Sequence, residues 1–274
     1  MQNRSEPVIE RVRHPLKMRL LRVARVSRVA PSLVRVTLTG DDLGDFVSAS
    51  FDDHVKIFFP EPGEAAPVLP TAGPGGIVFP EGVPRPVARD YTPRRYDRAA
   101  RELDLEFVLH DAGPASAWAA QATAGQYLGV GGPRGSFVIP SGFDWHLLIG
   151  DDTALPAIAR RLEELPAGIR AIAAIEVTGP EHQIALESAA DVSVVWAHRS
   201  GGAGIAASDS PLLDAVRRID LPPGDGYVWA AGESAAIRAL RQHLCEERGI
   251  DKKRIRASSY WRRGAQAVHE SFDD

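Results

Sequence analysis

The hydrophobic pattern changes along the 274-residue chain, and this change limits the folds that the chain can adopt. In the first half, LVRVTLT (33–39), HVKIFF (54–59) and LDLEFVLH (103–110) carry apolar residues at every second position, so that these residues share one face of an extended chain. Such alternation is typical of half-buried antiparallel strands. LRVARVSRV (21–29) also predicts a strand because it is rich in β-branched residues, although its valines recur at helical spacing. Several strands separated by Gly/Pro-rich turns predict a small antiparallel β-barrel.

The second half contains short runs that are apolar on both faces, as buried parallel strands are. The runs are WHLLIG (145–150), IAAIEV (172–177), VSVVWA (192–197) and YVWAAG (227–232). Helical stretches lie between them: one starts at Thr153, and another starts at Ser234 and ends at Gly249. Thr153 and Ser234 are both residue types that cap helices. Alternating strands and helices predict a doubly wound α/β domain.

The chain is long enough for two domains, since single cores stop growing at about 250 residues. We predict a β-barrel domain over residues 1–141, in which residues 1–16 form a tail. Residues 60–86 are dense in Pro and Gly and predict a long loop without a regular element. An α/β domain is predicted over residues 142–274.

Composition excludes several classes of function. A net charge of -4 gives no global basic field for nucleic acid or membrane binding. The eight histidines include no i, i+4 pair, so no metal site in the protein is predicted, and the single cysteine, Cys245, is interpreted as a small residue on a helix. The N-terminus lacks an apolar core of signal-peptide length, and no run reaches 18 apolar residues, so we expect a cytoplasmic protein, with a monomer as the default state.

The segment VARDYTPRRYD (87–97) places a cation, an aromatic face and a hydroxyl close together, at Arg89, Tyr91 and Thr92. A flat, phosphate-bearing, redox-active ligand such as a flavin needs this combination. Arg89 would hold a phosphate, Tyr91 would lie against the ring system, and Thr92 would donate a hydrogen bond near the flavin N5. The alternative is a solvated turn that contains Arg and Tyr by chance.

A second candidate site follows at LHDAGPASAWA (109–119). Gly113 and Pro114 predict a turn, after which the backbone amides of Ala115 and Ser116 could face a pyrophosphate. Trp118 is open to two interpretations, as a core residue or as a cover for the adenine or the flavin edge, and the core is the simpler one.

Two further turns end predicted parallel strands, where open α/β sheets bind ligands. In GDDTALPAI (150–158), Gly150 permits a tight turn, and Thr153 offers a hydroxyl at a helix start that attracts phosphate. An ordinary capped turn explains the same residues equally well. In WAAGES (229–234), Glu233 could cap a helix or touch a nicotinamide ribose.

Six segments occur in a characteristic order: RDYTPR, VLHDAGPASAWA, GPRG, GDDTALPAIARRLE, WAAGE and SYWRRG. With them the chain resembles the siderophore-interacting protein family of FAD-binding ferric-siderophore reductases, the vibriobactin-utilisation type, from about Lys17 to Gly264. The resemblance implies a ferredoxin-reductase-like plan, in which an FAD-binding barrel precedes an NAD(P)H-type domain.

The resemblance also implies roles for individual residues. FAD contacts are implied for Arg89, Asp90, Tyr91, Thr92, Leu109, His110, Gly113, Pro114, Ala115, Ser116, Trp118, Thr153, Tyr260 and Trp261. NAD(P)H contacts are implied for Gly150, Asp152, Thr153, Ala154, Pro156, Gly232 and Glu233, and siderophore contacts for Lys56, Arg134, Arg262 and Arg263. The residues alone also permit interpretations without a ligand. Lys56 could be a solvated lysine on the polar face of a strand, and Arg262 and Arg263 could belong to a tail that caps carbonyls.

Four positions depart from the family pattern. Asp111 stands where glycine is common, Ala117 where a basic residue is common, Asp152 where glutamate is common, and Ser259 where glycine usually precedes the Tyr-Trp pair. We expect Asp111 and Ala117 to alter the phosphate contacts and Ser259 to affect the pose of Tyr260 and Trp261.

The activity implied by the resemblance is reduction of siderophore-bound iron(III), with electrons passing from NADH or NADPH through FAD. Iron(II) is softer and binds the siderophore's oxygen donors more weakly, so reduction releases the metal. Two other hypotheses remain: a general flavin or ferredoxin-coupled reductase, and a non-enzymatic siderophore-binding protein. The last has no need for an Arg-x-Tyr-Thr motif.

Overall fold

The computed structural model describes residues 8–73, 76–110, 113–200, 210–264 and 270–271. Internal contacts divide the chain into a first unit, Val8–Ile139, and a second unit that begins at Pro140. Each unit has its own hydrophobic core. Within the described residues, no helix has the length and apolar character needed to cross a bilayer.

The first unit is built mainly of strands. They are β1 (Glu10–Arg13), β2 (Met18–Ala30), β3 (Leu33–Thr39), β4 (Val55–Phe58), β5 (Thr71–Gly73), β6 (Gly76–Val78), β7 (Ala88–Tyr91), β8 (Arg95–Asp97), β9 (Glu102–Val108), β10 (Tyr127–Gly131) and β11 (Gly135–Val138), with helix α1 (Pro114–Ala120) between β9 and β10.

A seven-stranded sheet in the order β7-β4-β10-β2-β3-β9-β8 forms the body of this unit, and its neighbouring strands are antiparallel. The alternating apolar residues predicted on β3 and β9 face one core, where Val36 and Leu105 are fully buried. Tyr91 on one edge strand and Tyr96 on the other both pack against this core. A sheet whose two edges share one core is curled, which confirms the predicted barrel.

Two predictions about this unit are wrong in part. Residues 1–16 are not simply a tail, because β1 pairs antiparallel with β11 and the His14 ring lies 2.8 Å from the Ser136 hydroxyl. All four side chains of β1 are exposed, so backbone pairing forms this strand without a hydrophobic pattern. The predicted loop 60–86 contains a hairpin of β5 and β6, whose strands of three residues are too short to show a period.

The second unit alternates strands and helices. They are β12 (Trp145–Asp151), α2 (Leu155–Glu164), β13 (Arg170–Val177), β14 (Asp191–His198), α3 (Pro211–Arg217), β15 (Gly226–Glu233), α4 (Ser234–Gln242), β16 (Ile255–Trp261) and β17 (Glu270–Ser271).

Five of these strands form a parallel sheet in the order β14-β13-β12-β15-β16, and β17 adds antiparallel to β16. Helices α3 and α4 share a core with Leu147 and Ile149 on one face of the sheet. Helix α2 covers the other face, because a Cβ on Gly150 would lie 2.4 Å from the Cβ of Ala154. Helices on both faces confirm the predicted doubly wound fold.

Some details of this unit differ from the predictions. VSVVWA is the edge strand β14, where Val194 is exposed, rather than a strand buried on both faces. Strand β16 extends the parallel sheet beyond the predicted apolar runs. Helix α4 ends at Gln242 and continues as a wider helical turn, His243–Glu247, which contains Cys245 and precedes Gly249.

The predicted helix caps are also corrected. Thr153 does not cap α2, because the cap position is Ala154 and the Thr153 hydroxyl donates to Asp151. Ser234 is the first residue of α4, and the preceding Glu233 is its cap. Each observed cap therefore lies one residue from the predicted one.

Candidate functional site

The predicted flavin motif lies on edge strand β7 of the barrel. Arg89 is half-buried, and its guanidinium donates one hydrogen bond, 2.8 Å long, to the carbonyl of Ala88. Within the described part of the chain, no carboxylate forms an ion pair with Arg89, so guanidinium N–H groups are left for an anion. The arrangement suits a phosphate, which an arginine can bind through two parallel hydrogen bonds.

Tyr91, two residues along the same strand, belongs to an aromatic cluster. Its ring centroid lies 4.3 Å from that of Phe107, and Phe107 lies 5.9 Å from Trp118. Burial raises the pKa of Tyr91 above its ordinary value, against the smaller opposing effect of the Arg89 charge, so the phenol is neutral at physiological pH. Thr92, the last residue of the motif, follows directly after β7 and is buried. These contacts fix the motif on the barrel core.

Lys56 and Asp90 are direct neighbours across β4 and β7. The Lys56 ammonium lies 2.8 Å from Oδ1 and 3.0 Å from Oδ2 of Asp90. Lys56 was predicted to receive the siderophore, and Asp90 was predicted to contact FAD. The structure pairs the two, so the lysine charge is compensated locally while its side chain stays partly exposed.

The predicted phosphate loop is held by a reciprocal pair of hydrogen bonds. The Ser116 hydroxyl accepts from the His110 amide at 2.9 Å and donates to the His110 carbonyl at 2.8 Å. Gly113 has φ +127, and a Cβ there would lie 3.1 Å from the His110 ring. The positive φ favours glycine at this position, and a side chain would also require a small shift of the His110 ring. Asp111, which stands where the family commonly has glycine, lies outside the described residues.

This loop borders a cavity of about 250 Å³. Its walls are formed by Leu109, His110, Gly113, Ser116, Ala117 and Ala120. Helix α1 begins at Pro114, so the amides of Ala115 and Ser116 lie in its first turn, where no intrahelical carbonyl is available. Ala117 lines the cavity without contributing the charge that a basic residue would supply.

Trp118 packs in the barrel core, as the simpler interpretation predicted. It is 8% exposed and contacts Phe59 and Phe107. Its buried indole Nε1 finds no hydrogen-bond partner in the described residues. An orphaned donor, a cavity beside first-turn amides and an arginine available to an anion together fit a ligand with phosphates and polar ring atoms, as FAD has.

In the second unit, the predicted nucleotide turn is organised by Asp151, a residue that our sequence analysis did not single out. Oδ1 of Asp151 accepts from the Thr153 amide at 2.9 Å and from the Thr153 hydroxyl at 2.5 Å. Oδ2 accepts from the Glu233 amide at 3.0 Å and from the Trp261 indole at 2.8 Å. The carboxylate therefore joins the ends of β12, β15 and β16.

Gly232 and Glu233 form the turn between β15 and α4. A Cβ on Gly232, whose φ is +151, would lie 2.7 Å from Oδ2 of Asp151. Glu233 accepts from the amides of Ala235 and Ala236 at 2.7 and 3.0 Å, so the helix-cap interpretation is observed. The ribose contact stays a prediction.

Asp152 is paired with Arg199, which our sequence analysis also missed. The Arg199 guanidinium donates to the Asp152 carboxylate and lies 3.3 Å from Glu176. Glu176 in turn accepts from the amide of Leu212, near the start of α3. The predicted nucleotide-side carboxylate is thus part of an ion-pair network that links β12, β13 and the end of β14.

The C-terminal aromatic pair lies on a β-bulge. Gly232 pairs with Ser259 and Glu233 with Trp261, so Tyr260 is the extra residue. Bulges redirect side chains, and Tyr260 meets Trp229 edge-on at 6.2 Å. Ser259 is fully buried and its hydroxyl donates to the Trp261 carbonyl at 3.3 Å, so this departure from the family pattern is accommodated within the strand.

The remaining predicted residues are distributed over both units. Gly150 and Pro156 are buried around the start of α2, and the arginines predicted to bind siderophore, Arg134, Arg262 and Arg263, are exposed. The Arg263 amide contacts Glu233 at 3.3 Å. In the residues that the structure describes, no group of three His, Cys, Asp or Glu side chains could hold a metal ion.

Asp151 and Arg199 were missed for different reasons. Asp151 ends a buried apolar run, and a carboxylate at the end of such a strand is a signal that could have been used. Arg199 follows strand β14, and its partners Asp152 and Glu176 lie 47 and 23 residues away in the chain. No local pattern predicts that grouping.

Two protein-family models together match most of the chain. Residues 22–137 match the siderophore-interacting FAD-binding domain, and residues 143–264 match the siderophore-interacting protein domain. The chain is 38% identical over 256 residues to the NADPH-dependent ferric-chelate reductase of Escherichia coli K12, covering 92% of this chain and 96% of that protein. It is 34% identical over 257 residues to the ferric vibriobactin reductase ViuB of Vibrio cholerae, covering 92% and 93%.

A solved structure of a siderophore utilization protein from T. fusca has the same fold. The TM-score is 0.86 at 39% identity, and the match covers 95% of this chain and 98% of that one. The resemblance recognised in the sequence is thereby confirmed. This chain belongs to the siderophore-interacting protein family and contains both its FAD-binding domain and its siderophore-interacting domain.

Proposed function

We propose that this chain is an FAD-dependent ferric-siderophore reductase that takes electrons from NADPH or NADH. The observation that carries the proposal is the aromatic series Tyr91–Phe107–Trp118. It places the Arg-x-Tyr-Thr strand and the phosphate-loop helix on one core, although the two motifs are separate in the sequence. A binding protein without redox chemistry has no need of an Arg-x-Tyr-Thr motif.

The residues of the first unit suit the parts of FAD. Arg89 would pair with a phosphate, and the first-turn amides of Ala115 and Ser116 would receive the pyrophosphate beside the cavity. Ser116 holds that loop through His110, which limits the entropy lost on binding. When bound, FAD would supply the exchange between a two-electron nicotinamide donor and one-electron iron acceptors.

The nicotinamide nucleotide would bind at the carboxyl ends of the parallel strands in the second unit. Gly150, Thr153 and Gly232 border this edge. NADPH as the donor is supported by the name of the Escherichia coli relative, and ferredoxin is the alternative donor to be tested. The predicted domain division after residue 141, a monomeric state and a cytoplasmic location are part of the same proposal.

The substrate would be a ferric siderophore, an anionic chelate of iron(III). Exposed cations draw anions toward a site, and Arg134, Arg262, Arg263 and partly exposed Lys56 are the candidates. Reduction to iron(II) weakens oxygen coordination and releases the metal. The chemistry needs no general acid or base from the protein.

The first test is the visible spectrum of the purified protein under anaerobic conditions, with FAD added if the protein is colourless. We expect flavin bands that bleach with NADPH and return when a ferric siderophore is added. If only reduced ferredoxin bleaches the flavin bands, then ferredoxin rather than NADPH or NADH would be the electron donor. Absence of bound flavin even after FAD addition would overturn the proposal.

A further inference from the structure

Asp151 is a buried carboxylate that the proposed reaction does not use as an acid or base. It is 4% exposed and ends the central strand β12. Its two oxygens accept four hydrogen bonds, which come from Thr153, Glu233 and Trp261. Glu233 and Trp261 end the next two strands of the sheet, 82 and 110 residues further along the chain.

We propose that Asp151 is a positioning residue of the reductase: it fixes the Trp261 indole and the Glu233 turn in the orientation that receives the nicotinamide nucleotide. The inference rests on the proposed function. Nucleotides bind beyond the carboxyl ends of parallel strands, and Asp151 ties together three adjacent ends at this edge. Small displacements at such a site are costly, because productive binding depends on geometry within about 1 Å.

The carboxylate is specified by its partners. All four groups that point at it are donors, and an ionised carboxylate is acceptor-only. An asparagine would keep one accepting oxygen and turn an NH₂ toward two of these donors. Gly232 adds a steric condition, since a Cβ there would lie 2.7 Å from Oδ2. The residues at three strand ends therefore match one carboxylate.

Burying the Asp151 carboxylate costs desolvation free energy, and this cost supports a role for the residue beyond packing. Burial, with a smaller contribution from the charge of Asp152, raises the pKa of Asp151 to about 6. The group is still mainly ionised at neutral pH, where its four donors are satisfied. An apolar side chain at position 151 would be enough to fill the space at this edge of the sheet. A charged acceptor, in contrast, holds an indole N–H in one orientation.

The test compares Asp151→Asn with the matched control Asp144→Asn in FAD-loaded protein. Asp144 precedes the same strand at its opposite end and accepts a hydrogen bond from the Asp225 amide. We expect Asp151→Asn to raise the KM for NADPH by about tenfold or more, with a smaller change in kcat and in the KM for the ferric siderophore. Asp144→Asn should leave all three close to wild type.

A spectroscopic measurement tests the contact independently of activity. The indole N–H resonance of Trp261 is identified by its absence from the NMR spectrum of Trp261→Phe. In wild type, we expect this proton to exchange slowly because it is hydrogen-bonded. In Asp151→Asn the exchange should accelerate and the resonance should move upfield, whereas Asp144→Asn should leave it in place.

Trp261→Phe also covers the case in which Asp151→Asn does not fold, because it removes the indole donor and leaves the carboxylate. It should raise the KM for NADPH in the same direction. Unchanged KM values in Trp261→Phe, or an unchanged Trp261 resonance in folded Asp151→Asn, would overturn the positioning role. A wild-type protein that binds FAD but is reduced by neither NADPH nor NADH would instead contradict the proposed function.

Discussion

The ammonium of Lys56 lies 2.8 Å from Oδ1 of Asp90, on the neighbouring strand of the barrel sheet. This pairing changes how Lys56 can act on an anionic siderophore. A free lysine would present a full charge, whereas here a partner carboxylate offsets it. The pair is partly exposed, so its net attraction is modest and depends on salt.

Removing the lysine and removing the carboxylate should therefore have opposite effects on the KM for the siderophore. Lys56→Ala should raise the KM for an anionic ferric siderophore, and Asp90→Asn should lower it, each by about two- to fivefold at low salt. The measurement is steady-state reduction at saturating FAD, with a neutral dye as the comparison acceptor. Equal effects on the siderophore and the dye would refute the electrostatic role.

Ser116 should determine how well the phosphate loop is preorganised. Ser116→Ala removes both hydrogen bonds to His110, each of which contributes about 0.5–1.5 kcal/mol. We expect FAD affinity to fall by about tenfold, measured by calorimetry on flavin-free protein. Ser27→Ala, on an exposed position of β2, is the control that should bind FAD like wild type. Wild-type affinity in Ser116→Ala would show that the loop needs no such support.

Gly232 should be intolerant of a side chain for two reasons. Gly232→Ala places a Cβ 2.7 Å from the Asp151 carboxylate and imposes φ +151 on an L-residue. Gly249→Ala imposes only a positive φ, +67, with no atom within 4 Å. In thermal unfolding we expect a loss of about 1 kcal/mol for Gly249→Ala and clearly more for Gly232→Ala. Equal losses would mean that the contact with Asp151 contributes nothing.

His146 should make the second unit sensitive to acid. Burial and, to a smaller extent, the charge of Arg161 lower the pKa of His146 from 6.5 to about 4. Because the folded pKa is depressed, the stability due to neutral His146 is complete above pH 6.5 and is lost as pH falls through about 4.

Urea unfolding at several pH values checks this effect. Between pH 6.5 and about pH 4, the free energy of unfolding of the second unit should fall more steeply in wild type than in His146→Gln, whose side chain does not titrate. His54→Gln, at an exposed position in the first unit, should keep the wild-type slope. Parallel curves for wild type and His146→Gln would contradict the prediction.

The general plan of the fold could be predicted from short-range patterns. Strands β3 and β9 follow the alternation of 33–39 and 103–110, because the apolar residues on one face of each strand pack in the barrel core. The other face carries polar side chains, of which Thr37, Asp104 and Glu106 are buried as well. Strand β1 could not be predicted in this way, since its side chains are all exposed and it forms through backbone bonds to β11. Hydrogen bonds between distant backbone segments leave no trace in local hydrophobicity.

The sequence by itself determined the two-part architecture, the family and the stretches at which ligands are expected, because periodicity and short motifs are local properties. Only the tertiary structure decided that Lys56 pairs with Asp90, that Glu233 caps α4 and that Asp152 joins Arg199. It also made Asp151 the shared acceptor of groups from three strand ends. Such contacts join residues far apart in the chain, and their energies depend on distances and burial that the order of residues does not contain.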